Sequence, residues 1–188
     1  MAKHQTIGAD EIETAIQRMA RAIFDRHQDD KSLLLLGIAN GGVELARRLT
    51  VALSRRRSPL RVEAGTLDVS FHRDDIGRHP IPKEFAPTHI PRDVDGANII
   101  LVDDVLFSGR TIKAALDELF DHGRPTKVEL AVLVDRGGRR LPMAADYVGF
   151  DLFTPNSEKV VVLLDPKEAS RDAVRIEPAS IAARNAAT

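Results

Sequence analysis

One segment constrains the fold more than any other: Ile99-Ile100-Leu101-Val102-Asp103-Asp104-Val105-Leu106-Phe107-Ser108-Gly109-Arg110-Thr111. Its four leading apolar residues read as a buried strand, expected over 98–103. Two carboxylates follow at the carboxyl end of that strand. A tight Ser-Gly-Arg-Thr turn then opens a helix over 110–122, with Ile112, Ala115, Leu116 and Leu119 on one face. Gly123 and Pro125 end it. The first N–H groups of such a helix point outward, and with the helix dipole they favour a phosphate. Gly109 permits a close backbone approach, and Ser108 and Thr111 add hydroxyl donors. Asp103 and Asp104 suit sugar hydroxyls or a metal, so the segment reads as a sugar-phosphate site. Two solvated acids at a strand end are the plainer alternative.

The same alternation runs along the chain. A helix is expected over 10–28, capped by Asp10 with Glu13 three residues on, and with Ile12, Ile16, Met19 and Ile23 inward. Residues 32–38 form an apolar strand, 39–42 a turn, and 43–54 a helix with Val43, Ala46, Leu49 and Leu53 inward. Strands are expected at 61–70, 128–134, 147–152 and 160–164, with a short edge at 174–176 and a frayed tail from Glu177. Residues 71–95 have no clear period and three prolines between Pro80 and Pro87. A loop that long in a compact domain is functional or disordered. Strands alternating with helices argue an α/β fold with a mainly parallel central sheet flanked by helices. Ligands bind such sheets beyond the carboxyl ends of the strands. The 39–42 turn, the acid pair and the 135–140 loop would all meet there.

Composition excludes several classes. The 188 residues suit one domain, and 43% hydrophobic with 29% charged residues is ordinary for a soluble protein. With no Cys, disulfides and thiolate metal sites are excluded. No apolar run is long enough to span a bilayer, and Met1–Gln5 leads into no apolar signal region. The expectation is a cytoplasmic protein with no membrane partner. No Gly-x-x-x-x-Gly-Lys sequence occurs, which removes the nucleotide P-loop. Net charge is −1, yet Arg47, Arg48, Arg55, Arg56, Arg57 and Arg61 fall within fifteen residues. They read either as a solvated helix face or as a phosphate-backbone contact patch.

The 99–111 segment resembles the phosphoribosyl pyrophosphate signature of type I phosphoribosyltransferases. The wider chain, roughly 5–178, resembles the PyrR family (pyrimidine operon attenuation protein/uracil phosphoribosyltransferase). The segments that carry this are 65–75, Gly123-Arg124-Pro125, Val134-Asp135-Arg136-Gly137-Gly138-Arg139 with the strand before it, Ala145-Asp146-Tyr147-Val148-Gly149 and Ser157-Glu158-Lys159-Val160. The resemblance implies a type I phosphoribosyltransferase fold over 1–178, with a small hood, a flexible flap loop at 71–95 and a disordered tail at 179–188. It implies synthesis of UMP and pyrophosphate from uracil and phosphoribosyl pyrophosphate, with Mg2+ held through the substrate. Ser108, Gly109, Arg110 and Thr111 then hold the 5′-phosphate, and Asp103 and Asp104 orient the ribose. Asn40, Gly41 and Gly42 face the pyrophosphate, with a non-proline cis bond at Ala39–Asn40. Arg73 reaches the pyrophosphate from the flap. Val134, Asp135 and Arg136 line the uracil site.

The family also implies a dimer or higher homo-oligomer and a pyrimidine-operon mRNA partner. This chain departs from the family pattern where RNA is concerned. The pyrophosphate loop commonly reads Thr-Arg-Gly, against Asn40-Gly41-Gly42 here, and Gly138 stands where His is frequent. Lost basic positions weaken salt-dependent binding. Arg18, Arg21, Arg139 and Arg55–Arg57 are the residues that would compensate. Two other readings stay open: a uridine-nucleotide-sensing RNA-binding attenuator with residual catalysis, and a purine or orotate phosphoribosyltransferase.

Overall fold

The protein is described from a computed structural model over residues 6–56, 58–70 and 87–179. Arg73, most of the expected flap and residues 180–188 lie outside the described residues. The elements in chain order are β1 (Thr6–Gly8), α1 (Ala9–His27), β2 (Ser32–Ile38), α2 (Gly41–Ser54), β3 (Arg61–Leu67), β4 (Asn98–Leu106), α3 (Arg110–Asp121), β5 (Lys127–Asp135), β6 (Tyr147–Asp151), β7 (Glu158–Leu163) and β8 (Ala173–Pro178).

Five strands form one sheet in the order β3-β2-β4-β5-β6, and every pairing in it is parallel. The cause is visible in the side-chain alternation of the strands. Leu33, Leu35, Ile100, Val102, Ala131 and Leu133 face one way and pack with the apolar stripes of α1 and α2. Leu34, Leu36, Ile99, Leu101, Leu130 and Val132 face the other way and pack with α3. Strands apolar on both faces need helices on both sides, as parallel sheets do. In α1, Ile12, Ile16, Met19 and Ile23 are all at most 2% exposed, as their spacing requires.

A second sheet stands apart. Its order is β1-β8-β7, and both pairings are antiparallel. This is the hood. It joins residues 6–8 to residues 173–178, a pairing that no local period announces. The expected edge at 174–176 is therefore the middle strand of three. The chain stays ordered past Glu177, and Ala179 N–H donates to Ser157 O at 2.8 Å.

Three expectations are corrected. β4 continues past the expected end at Asp103 to Leu106, so Asp104 also lies within the strand; Val105 and Leu106 still find partners, opposite Val134 and Asp135 on β5. The cap of α1 is Gly8, whose N–H donates to the Glu11 carboxylate at 3.1 Å; Asp10 is already helical and its carbonyl accepts from Thr14 Oγ1. α2 starts at Gly41, and Val43 is only half-buried. Among the described residues, no helix is long and apolar enough to cross a membrane.

Candidate functional site

Parallel strands put all their carboxyl ends on one edge, and the candidate residues gather there. At the end of β4, Phe107, Ser108 and Gly109 turn the chain into α3. Gly109 takes φ +89°, a left-handed conformation that a side chain would strain. No side chain caps α3. Arg110 N–H reaches Ser108 Oγ only at 3.4 Å, and the first helical bond is Lys113 N–H to Gly109 O at 2.9 Å. The helix start therefore presents backbone donors to whatever lies above the turn. Ser108 O accepts from Arg140 N–H at 3.0 Å and Leu141 N–H at 3.1 Å, which ties the turn to the loop after β5.

One turn of strand earlier sits the acid pair. Asp103 is buried, and its Oδ1 accepts the Asp104 N–H at 3.0 Å. Asp104 leaves the strand on the other face and lies over the start of α2. Burial pushes its carboxyl above the ordinary value, with the Val105 N–H working against that shift. The start of α2 is pressed onto β4. A Cβ on Gly42 would lie 1.9 Å from Val102 O, and a Cβ on Gly41 would lie 2.5 Å from Asp104 Cγ. The Ala39–Asn40 peptide is cis, at the position the family resemblance implies. Asn40, Gly41 and Gly42 are thus brought against Asp103 and Asp104, two elements apart in sequence.

The end of β5 forms the third wall. Val134 is fully buried and pairs with Phe150. Asp135 Oδ1 accepts Gly137 N–H at 2.9 Å, and its other oxygen pairs with Arg139. Arg139 also donates to Phe107 O at 2.7 Å, Leu106 O at 3.2 Å and Met143 O at 3.1 Å. One guanidinium therefore holds the loop after β5 against the turn that precedes α3. Arg136 is buried with its guanidinium carbon 4.1 Å from the Phe107 ring centroid. Its Nη2 donates to Pro155 O at 3.2 Å and Glu158 O at 2.9 Å, gripping the hood. Burial lowers its pKa, and Glu158 counters.

The sequence pattern singles out neither Phe107 nor Thr154, and it credits Arg139 only as a basic residue. The four-residue spacing of Asp135 and Arg139 was the available signal. The arginine run is resolved in part: Arg47 and Arg48 pair with Glu44, and Arg48 also pairs with Asp172. Arg56 lies 5.3 Å from the Phe24 ring centroid. Arg18 donates to Gly149 O. A separate buried cluster occupies the other end of β5: His27 contacts Glu129 at 2.5 Å and Asp30 at 2.7 Å, and Tyr147 OH donates to Glu129 at 3.1 Å. Desolvation and Glu129 push the Tyr147 hydroxyl far up. Among the described residues, no group of three or more His, Asp or Glu is arranged around a metal position.

The sequence pattern of the phosphoribosyl transferase domain matches residues 8–166. The chain belongs to the phosphoribosyltransferase family and has its type I fold. A structure of the hypoxanthine phosphoribosyltransferase from Trypanosoma cruzi, in complex with the product IMP, superposes with a TM-score of 0.65 at 25% identity. That match covers 99% of this chain and 96% of the other. Within the family the chain stands beside the bifunctional PyrR proteins. The one from Roseiflexus sp. (strain RS-1) is 44% identical over 177 residues, 94% of this chain and 96% of that protein. The one from Streptomyces coelicolor is 49% identical over 168 residues, 87% and 84% of the respective chains.

Proposed function

We propose that this phosphoribosyltransferase joins uracil to phosphoribosyl pyrophosphate, giving UMP and pyrophosphate. The observation that carries this is the meeting of an uncapped α3 start with the Asp103–Asp104 pair and the Asn40–Gly42 turn at one sheet edge. The 44% identity to a bifunctional PyrR protein supports the choice of uracil. In the reaction the uracil N1 bonds to the anomeric carbon. The bond from that carbon to the pyrophosphate oxygen breaks, its electron pair leaves with pyrophosphate, and the N1 proton passes to water.

The backbone donors and hydroxyls of Ser108, Gly109, Arg110 and Thr111 bind the 5′-phosphate. Asp103 and Asp104 take the ribose hydroxyls and orient the anomeric carbon; positive charge developing on the sugar is favoured beside carboxylates. Asn40, Gly41 and Gly42 present N–H groups to the departing pyrophosphate, and Arg73 closes over it from the flap. Val134, Asp135 and Arg136 frame the base. Two carboxylates without a third protein ligand fit Mg2+, which takes most of its oxygens from water and phosphates. When bound, it supplies positive charge against the leaving oxygens.

The test is UMP formation by the purified full chain with uracil, phosphoribosyl pyrophosphate and magnesium. Uracil is expected to outcompete hypoxanthine, guanine and orotate. Turnover of a purine or orotate without uracil overturns the reading.

A regulatory role on pyrimidine-operon mRNA is the second half of the proposal, supported by the word bifunctional in the relatives' names. Arg18 and Arg139 are already engaged by carbonyls within the fold, so the exposed basic residues must supply the phosphate contacts. A gel-shift titration of leader RNA with UMP across salt tests it. No salt-dependent shift overturns it. A cytoplasmic dimer or higher assembly is proposed with it, and light scattering of the purified chain as a monomer would refute the oligomer.

A further inference from the structure

α3 begins without a side-chain cap, so the aim of the N–H groups before it is set from elsewhere. The carbonyl side of the turn is where the chain is held. Three consecutive carbonyls, those of Leu106, Phe107 and Ser108, all accept from the loop after β5. Leu106 O takes Arg136 N–H at 3.1 Å and Arg139 Nη1 at 3.2 Å. Phe107 O takes Arg139 Nη1 at 2.7 Å. Ser108 O takes the N–H groups of Arg140 and Leu141 at 3.0 and 3.1 Å. The side chain among these donors is that of Arg139.

A trans peptide is planar, and its C=O and N–H point opposite ways. Among the described residues the cis bond is at Ala39–Asn40, far from this turn in sequence. Fixing the Phe107 and Ser108 carbonyls toward the loop therefore turns the Ser108 and Gly109 N–H groups away from it. Among the described residues, neither N–H meets a protein acceptor. Two donors are thus aimed out of the turn on the side opposite to the loop.

Arg139 suits this task. Its side chain is only 23% exposed. Nε donates to Met143 O at 3.1 Å, Nη1 also donates to Gly137 O at 3.3 Å, and Nη2 pairs with Asp135. All three nitrogens of a rigid, planar fork are engaged. The same loop covers Gly109 from behind: a Cβ there would lie 3.3 Å from Leu141 Cβ and 3.4 Å from Met143 Sδ.

We propose that Arg139 is a positioning residue for the phosphoribosyl half of the reaction. Its fork fixes the Leu106 and Phe107 carbonyls, and the peptide planes pass that alignment to the N–H groups that meet the 5′-phosphate. The inference rests on the phosphate placement proposed above and is independent of which base is used.

The test is calorimetric binding of ribose 5-phosphate, which carries the phosphate and no base. Pyrophosphate with magnesium is the control ligand, since it belongs to the Asn40–Gly42 side. Arg139→Gln is expected to weaken ribose 5-phosphate about 10- to 100-fold, the worth of one charge-assisted hydrogen bond, and to leave pyrophosphate within about twofold. Arg139→Lys keeps the charge beside Asp135 but not the planar fork, and it is the variant to read if Arg139→Gln fails to fold. It should lose ribose 5-phosphate affinity as well. Wild-type affinity in Arg139→Lys overturns the inference, because charge alone then suffices. Equal losses for both ligands, or a lower Tm with both affinities unmoved, describe an arginine that serves only the fold and also overturn it. Thr111→Ala separates the inference from the placement beneath it. If that variant leaves ribose 5-phosphate binding unmoved, or the wild type does not bind it, the placement fails and the inference falls with it. If Thr111→Ala weakens binding while both Arg139 variants bind like the wild type, the inference alone fails.

Discussion

Gly41→Ala is the sharpest perturbation of the acid pair that does not touch an acid. Neither Gly41 nor Gly42 has a left-handed backbone, so only contact decides what a methyl group does there. On Gly41 the new Cβ lies 2.5 Å from Asp104 Cγ and 2.6 Å from both carboxylate oxygens. Ordinary contact begins at 3.4 Å. The carboxylate must retreat by about 1 Å, a displacement that costs on the order of 100-fold in rate at a reacting centre. That is about 2.7 kcal/mol of transition-state stabilisation. The fold has no cause to suffer, since the group that yields is the end of a side chain and Ala favours the helix. Gly42→Ala differs. Its Cβ lies 1.9 Å from Val102 O and 3.0 Å from Asp103 Cα, backbone of a central strand that cannot move aside. Overpacking of that kind costs about 1–3 kcal/mol or more, about 2–4 °C of Tm for each kcal/mol in a chain of this size. Initial rates of UMP formation and thermal unfolding read both variants. Gly41→Ala should be slow and stable, Gly42→Ala unstable. A Gly41→Ala enzyme at the wild-type rate would refute the placement of Asp104 at the sugar, and equal losses of Tm would refute the contact argument.

Four further variants have expected outcomes. Burial holds the Asp104 carboxyl above its ordinary 3.8, so its contribution to stability is present below that value and lost as pH rises through the raised one. Asp104→Asn should therefore raise Tm at neutral pH, with the gain vanishing on acidification, while the rate falls about 10–150-fold for a lost charge-assisted bond of about 1.5–3 kcal/mol. Asp103→Asn should differ in size, because that carboxylate also holds the Asp104 N–H; negligible losses from both would remove the acids from the sugar site. Thr111→Ala should raise KM for phosphoribosyl pyrophosphate more than KM for uracil, and the reverse would misplace the phosphate. Burial raises the Glu129 carboxyl, but hydrogen bonds from Lys127 and His27 outweigh it and hold the group below its ordinary 4.5. Its stabilisation is present above 4.5 and lost as pH falls through the lower value. Glu129→Gln should flatten the acid limb of a Tm–pH curve and leave both KM values alone, and an unchanged acid limb would sink this reading.

How much of this was legible differs by element. The stripe Ile12, Ile16, Met19, Ile23 locates α1 because a helix repeats every three to four residues. The run Leu33–Leu36 locates β2 because it is apolar on both faces. Local patterning was enough for each. The cap of α1 was misread because Asp10 and Glu13 mimic a capping box two residues too late, and Gly8 carries no side chain to advertise itself. The end of β4 was misread because carboxylates normally mark a boundary. Here the strand runs on past Asp103 because Val105 and Leu106 pair opposite Val134 and Asp135, and Asp104 between them is covered by α2. Arg136 looked like a plain ligand contact, and the structure adds its grip on the hood.

The sequence by itself determined the parallel sheet, the Ser108–Thr111 turn and the adjacent acids that end in it, along with the family. Each is a contiguous pattern, and short-range sterics and burial suffice to enforce it. Only the tertiary structure decided the hood, where residues 6–8 meet residues 173–178, and the seating of Gly41 against Asp104. It alone joined Asp135 and Arg139 to the turn before α3. Those facts depend on which distant backbones approach each other, and to how many tenths of an ångström. That distance is set by the packing of two cores on opposite faces of one sheet, which no single stretch of the chain encodes.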